Sequence, residues 1–206
     1  MTPDTATPAA ETLQYLKQPY GELAWLINAH AANQPQRIAL DDGEERLTWG
    51  ETAALVNRIA AQLQTEGLQK GQAVSILGTT TIRYALVYLG AIAAGGCAAP
   101  LTTSATPQQF VAMMTDSGAG HLFIDHTKRA ELTDSGVTLP NLKHVMMDAP
   151  DDSDGAPFLF DWMAVEGAML LEVETGSSDP YNIIYSSGTT GTPCALAARA
   201  NCTGSR

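Results

Sequence analysis

Basic residues are scarce in this chain: 11 Lys and Arg stand against 22 Asp and Glu in 206 residues, a formal charge of −11. A surface of that sign repels phosphate backbones and anionic lipid, which excludes nucleic acid as a partner. Cysteine is scarcer still. Cys97, Cys194 and Cys202 are odd in number and lack metal-type spacing, so they form no disulfide framework and suit a reducing cytoplasm. The first twenty residues, with Pro, Thr and Ala around Asp4 and Glu11, lack a positive start followed by an apolar stretch. No secretory signal is read there, and residues 1–19 are expected to form a flexible tail. His30, His121, His126 and His144 contain no i, i+4 pair, so no metal-binding residue is assigned. Tyr84 to Leu101 carries no charge and approaches the roughly 20 residues that a bilayer requires. Gly90, Gly95, Gly96 and Pro100 interrupt it, so the expectation is a buried helix followed by a buried strand, with no membrane span.

What the chain does have is 45% hydrophobic residues, enough for a real core at this length. Leu23, Leu26, Ile27 and His30 recur at helical spacing and predict an opening helix. Arg37 to Leu40 and Arg46 to Thr48 are short extended runs around Asp42-Gly43, a hairpin signal. Thr48 stands three residues before Glu51, the spacing of a reciprocal helix cap; Leu55, Val56, Ile59 and Leu63 give that helix its apolar face, and Gly67 ends it. Val74 to Leu77 reads as a buried strand. The Thr79 to Thr81 cluster starts a second helix through Ile92, Cys97 to Ala99 returns as a strand, and Thr106-Pro107-Gln108-Gln109 opens another helix. His121 to Ile124 and His144 to Met147 are further strands. The stretch Asp148 to Pro157 is an acidic, Pro-rich loop before a short helix near Phe160 to Val165. Strands alternating with helices predict a layered α/β fold with a largely parallel sheet and flanking helices.

Chemistry concentrates in Tyr181 to Pro193. An apolar run is followed by six consecutive Ser, Gly and Thr residues, Ser186, Ser187, Gly188, Thr189, Thr190 and Gly191. Small side chains let backbone N–H groups approach a polyphosphate, and four hydroxyls add donors, so the run can bind an anion without fixed positive charge. A flexible Ser/Gly linker has the same composition. The Lys of a G-x-x-x-x-G-K-[ST] loop is missing, as is the G-x-S-x-G of a serine hydrolase. Residue chemistry alone leaves phosphate loop and linker both open.

Tyr185-Ser-Ser-Gly-Thr-Thr-Gly-Thr-Pro193 resembles the signature phosphate loop of the adenylate-forming superfamily, which includes acyl- and aryl-CoA synthetases, luciferases and peptide-synthetase adenylation domains. Leu47-Thr48-Trp49-Gly50-Glu51 is similar to that family's early "LTY-x-E" segment. Gly90 to Leu101 is similar to its "L-x-A-G-x-x-x-x-P-L" segment. The resemblance covers residues 20–193 and implies the N-terminal portion of an AMP-binding large domain. It also implies ATP, Mg²⁺ and coenzyme A as cofactors: a fatty or aryl carboxylic acid attacks the α-phosphate of ATP, and a thiol then displaces AMP. By position, Ser186, Ser187, Gly188, Thr189, Thr190 and Gly191 inherit the grip on the β- and γ-phosphates.

The family motif continues with Lys-Gly where this chain has Cys194-Ala195, and residues 194–206 are read as an unrelated tail. The magnesium glutamate, ribose aspartate and catalytic lysine that the resemblance requires have no counterpart. A truncated synthetase, inactive by itself and with no catalytic residue assigned, is therefore expected; the alternative is a non-catalytic module that binds nucleotide or protein. Asp151, Asp152 and Asp154 lack the remaining spacing of a calcium loop and read as a solvated acidic turn. Phe110, Met113 and Met114 sit at helical spacing as core residues.

Overall fold

The computed structural model describes residues 22–150, 155–186 and 194–199, together with positions 10 and 14. In chain order the elements are α1 (Leu23–Asn33), β1 (Ile38–Asp41), β2 (Arg46–Thr48), α2 (Trp49–Thr65), β3 (Ala73–Leu77), α3 (Ile82–Ala93) and β4 (Cys97–Pro100). They continue with α4 (Pro107–Ser117), β5 (His121–Ile124), α5 (His126–Asp134), β6 (Lys143–Met146), α6 (Leu159–Trp162), β7 (Pro180–Ser186) and β8 (Cys194–Arg199).

Local chemistry sets most boundaries. At α2 the Thr48 hydroxyl accepts from the Glu51 N–H while the Glu51 carboxylate accepts from the Thr48 N–H, as the spacing predicts. Thr106 and Gln109 repeat the device at α4, with Pro107 in the first turn. Thr81 and Asp125 cap α3 and α5 with single bonds from Tyr84 and Lys128. Gly67 and Gly118 follow α2 and α4 with positive φ. In the β1–β2 hairpin only Gly43 has positive φ. Asp42 contributes differently from its predicted turn role: one carboxylate oxygen accepts from Glu44 and Glu45 N–H, the other from Ile82 N–H at the start of α3.

The main sheet has the order β6-β5-β3-β4-β7-β8. Its first five strands are mutually parallel, and β8 adds an antiparallel edge. This is the layered α/β fold expected from the alternation of strands and helices. One face packs against α1, α2, α3 and α6 through Ile27, Val56, Ile59, Leu63, Val74, Ile76, Leu86 and Phe123. The other packs against α4 and α5 through Leu77, Phe110, Met113, Met114, Leu122, Ile124, Leu132 and Tyr185. Crossovers to the β4 side and to the β5 side therefore occupy opposite faces, the consequence of right-handed connections.

Tyr84 to Leu101 divides as expected into most of α3, a turn and β4; no helix among the described residues is long and apolar enough to cross a membrane. Two boundaries differ from the sequence pattern. The short helix spans Leu159–Trp162 because Met163 turns extended, and the Ala164 carbonyl accepts from Arg58 Nε instead of from a helix partner. Cys194–Arg199, read from sequence as tail, pairs along β7 as β8.

Candidate functional site

Five parallel strands deliver their carboxyl ends, and the loops that follow, to one edge of the sheet. In such sheets ligands bind at that edge, often in the crevice where the strand order reverses direction, which here lies between β3 and β5. That crevice is filled. Asp125 is buried and accepts from the N–H groups of Thr79 at 2.7 Å and Lys128 at 2.7 Å. Gly78 approaches so closely that an added Cβ would stand 2.8 Å from the Asp125 carboxylate and 2.8 Å from Met147 Cε. A polyphosphate would meet negative charge and no space there. On the far side of β3, the loop after β4 exposes Thr103 and Ser104, with Thr102 Oγ1 and Ser104 Oγ 3.1 Å apart. Lys128 Nζ braces that loop through the Thr103 carbonyl at 2.9 Å.

Next to β4 lies β7, which carries the predicted phosphate loop. Ser186 ends the strand and pairs with Cys194, so residues 187–193 join two paired strand ends. Ser187, Gly188, Thr189, Thr190 and Gly191 lie outside the described residues, and of Ser186 only the backbone is described. The residue before them is firmly placed. Tyr185 is buried in the α4-side core, and its hydroxyl donates toward the Met113 carbonyl at 2.9 Å and the Asp116 carboxylate at 3.1 Å. Burial, then the neighbouring Asp116 charge, pushes its phenol pKa well up, so it stays a donor at all ordinary pH.

The other two motif segments turn out to shape the scaffold. Trp49 stacks on His30 with ring centroids 4.5 Å apart, and the Gly50 N–H donates to the Pro35 carbonyl. An added Cβ on Gly90 would sit 2.5 Å from Ile59 Cγ2, so glycine is what lets α3 approach α2. Gly95 takes φ +84 at the end of α3, with Val173 against it.

A polar cluster that no sequence motif announces lies at the opposite, amino edge. Glu66 accepts from Trp162 Nε1 at 2.7 Å, His121 Nε2 at 3.0 Å, Lys143 Nζ at 2.9 Å and Gln62 Nε2 at 3.1 Å. These residues come from four elements or their ends, and only the tertiary fold assembles them. Burial lowers the pKa of His121, an effect that its bond to Glu66 partly opposes. His144 is likewise lowered by burial, then by Arg129 beside it. Among the described residues no group of three or more His, Cys, Asp and Glu is placed to hold a metal ion. A cavity of about 540 Å³ also opens at the amino edge, between α1, the end of α3 and residues 170–175. It opens beside Pro180 and Tyr181 at the start of β7, the end of the strand opposite Ser186, so cavity and motif point to opposite edges. We give precedence to the carboxyl edge, where the parallel-sheet geometry brings the loops together.

The family model described as AMP-binding enzyme matches residues 27–196. The chain belongs to this family. Long-chain-fatty-acid–CoA ligase FadD13 of Mycobacterium tuberculosis is 27% identical over 176 residues, 83% of this chain and 33% of its own length. Gramicidin S synthase 2 of Brevibacillus brevis is 27% identical over 168 residues, 82% of this chain and 3% of that protein. Among solved structures, the anthranilate CoA ligase AuaEII in complex with anthranoyl-AMP superposes with a TM-score of 0.79 at 19% identity, covering 89% of this chain and 35% of that one. The N-terminal domain of FACL13 from Mycobacterium tuberculosis gives 0.72 at 24% identity, covering 86% and 44%. At these identities the structures establish the common fold. The chain thus spans about a third of the length of the curated CoA ligase that it matches, and what it carries is the family's N-terminal α/β sheet.

Proposed function

We propose that this chain contributes the ATP phosphate-binding loop of an AMP-forming acid–thiol ligase, with Ser186, Ser187, Gly188, Thr189, Thr190 and Gly191 as the residues that contact the β- and γ-phosphates. The observation that carries this reading is the point from which the run departs: β7 is a parallel strand next to β4 in the main sheet, its Ser186 end lies at the carboxyl edge, and Ser186 pairs with Cys194 of β8. Backbone N–H groups of small residues and the hydroxyls of Ser and Thr are donors suited to a polyanion.

In the reaction of such a ligase a carboxylate oxygen attacks the α-phosphorus of ATP, the bond to the pyrophosphate oxygen breaks, and a thiol later displaces AMP. The loop's part is to hold the departing pyrophosphate in line. Fatty and aryl acids are the substrate classes named for the relatives, and a carboxylic acid, coenzyme A as the thiol and a cytoplasmic setting belong to the same proposal. Mg²⁺, which would share the phosphate charge when bound, belongs to the same proposal; among the described residues no group of three or more His, Cys, Asp and Glu is placed to hold it.

Hydroxyls and N–H groups without the Lys that the family motif carries after Pro193 should bind ATP weakly, at about millimolar Kd, or about −4 kcal/mol. Isothermal titration of the unmodified chain, of Cys194→Lys and of the double variant Thr189→Val, Thr190→Val tests this. Tighter binding is expected for Cys194→Lys, because a charge-assisted contact is about twice as strong as a neutral one. Binding is expected to vanish in the double variant, which keeps size and removes donors. Indifference to that double substitution would mean that the run is a linker.

A further inference from the structure

The cavity at the amino edge has no part in the phosphate-loop reading, and its walls are tied to one another. α1 forms one wall, the end of α3 with Gly95 and Gly96 a second, and the extended segment 170–175 a third. Val173 seats that segment on the turn after α3: an added Cβ on Gly95 would lie 2.6 Å from Val173 Cγ1. Gln64 of α2 clamps the same segment, its Nε2 donating to the Leu171 carbonyl at 2.9 Å and its Oε1 accepting from the Leu171 N–H at 2.9 Å. Thr175 Oγ1 donates to Glu22 Oε1 at 3.2 Å, which joins the segment to the start of α1. A cavity of about 540 Å³ held in this way is preformed, and its size suits a small molecule.

The lining has a definite chemistry. Its walls are mainly apolar, through Leu23, Ile92, Leu170 and Val173, and it includes two exposed aromatic rings, Trp25 and Tyr181. The charged side chains among the described lining residues are Glu22, Glu172 and Asp179; no Lys, Arg or His is among them. Asp179 is matched by Lys70 Nζ at 2.8 Å, whereas Glu172 is exposed on the extended segment. We propose that this cavity binds a small organic cation, an ammonium group carried on an apolar body of ring size. The apolar body leaves water against Leu23, Ile92, Leu170 and Val173. The ammonium group lies in the field of Glu22 and Glu172, and aromatic faces attract a cation further. A carboxylate or phosphate of the same size meets only its own sign of charge, so the substrate classes proposed for the carboxyl edge are turned away here. The inference does not rest on the phosphate-loop reading, which concerns the other edge of the sheet.

The test uses three probes of one shape, phenylbutylamine, phenylbutanol and phenylbutyrate, titrated calorimetrically into the full chain at neutral pH. The amine is expected to bind at least about tenfold more tightly than the carboxylate, with the alcohol between them, since an ion pair and a cation–π contact are each modest at a partly exposed site. High salt should narrow the gap between amine and alcohol. Glu172→Gln should weaken the amine by about threefold and leave the alcohol within about twofold. Leu171 is 62% exposed, and Leu171→Arg keeps the backbone bonds to Gln64 while bringing a cation to the cavity; it should weaken the amine by about tenfold. Glu44→Gln removes the same charge as Glu172→Gln in the β1–β2 turn, which Asp42 ties to the start of α3, the end away from the cavity. It should leave all three probes unchanged. An amine that fails to bind, or that binds no more tightly than the alcohol, overturns the proposal, and so does a Glu44→Gln effect as large as that of Glu172→Gln.

Discussion

Replacing Glu66 by Gln should remove a pH-dependent part of the stability. The Glu66 side chain is 18% exposed and receives hydrogen bonds from Trp162, His121, Lys143 and Gln62. Burial alone would raise its pKa; the donors, Lys143 and His121 foremost, outweigh that and bring it from 4.5 to about 2. Fully expressed, that interval corresponds to about 3 kcal/mol. The Lys143 side chain is 55% exposed, so solvent screens its share, and a realised contribution of about 1–2 kcal/mol is the reasonable expectation. Because the folded pKa lies below the unfolded one, this stability is fully present above pH 4.5 and disappears as pH falls toward 2. His121 and His144, whose pKa values burial lowers from 6.5, add a separate loss that begins as pH drops below that value. Urea unfolding of the two proteins at pH 7, 4 and 2.5 measures the difference. Glu66→Gln should be less stable by that 1–2 kcal/mol at neutral pH, and the gap should narrow between pH 4.5 and 2. A gap that is constant across this window, or absent at pH 7, would refute the ionic account of the cluster.

Gly90→Ala forces a methyl to within 2.5 Å of Ile59 Cγ2, and overpacking of this kind should cost about 1–3 kcal/mol; urea melts should show the loss, and the same substitution should cost less in an Ile59→Ala background, where the clashing methyl is gone. Cys97 is fully buried, and burial raises its thiol to about 11, so in a chain with Cys194 and Cys202 replaced by Ser, a disulfide reagent at pH 8 should label it only after unfolding. Rapid labelling of the folded protein would show that β4 opens more readily than its packing implies.

Much of the architecture was legible in the residues because its determinants are local. Thr48 with Glu51, Thr106 with Gln109 and Gly67 act within one helical turn, so their spacing announced α2 and α4 before any packing was considered. Alternation of short apolar runs with amphipathic stretches sufficed for a parallel α/β sheet, and the Tyr185 to Pro193 run, together with Leu47 to Glu51 and Gly90 to Leu101, carried the family resemblance. The end of the short helix at Trp162 is not legible in the sequence because it depends on Arg58, 106 positions from Ala164, and neither is β8, because a strand of small residues has no periodic signature. Strand order, the closing of the β3–β5 crevice by Asp125, the gathering of Glu66, His121, Lys143 and Trp162, and the tie from Tyr185 to α4 are of a different kind. Each joins residues from separate elements, and whether a carboxylate meets an amide, an imidazole or a phenol across such distances is decided by how the layers pack, which no local pattern encodes.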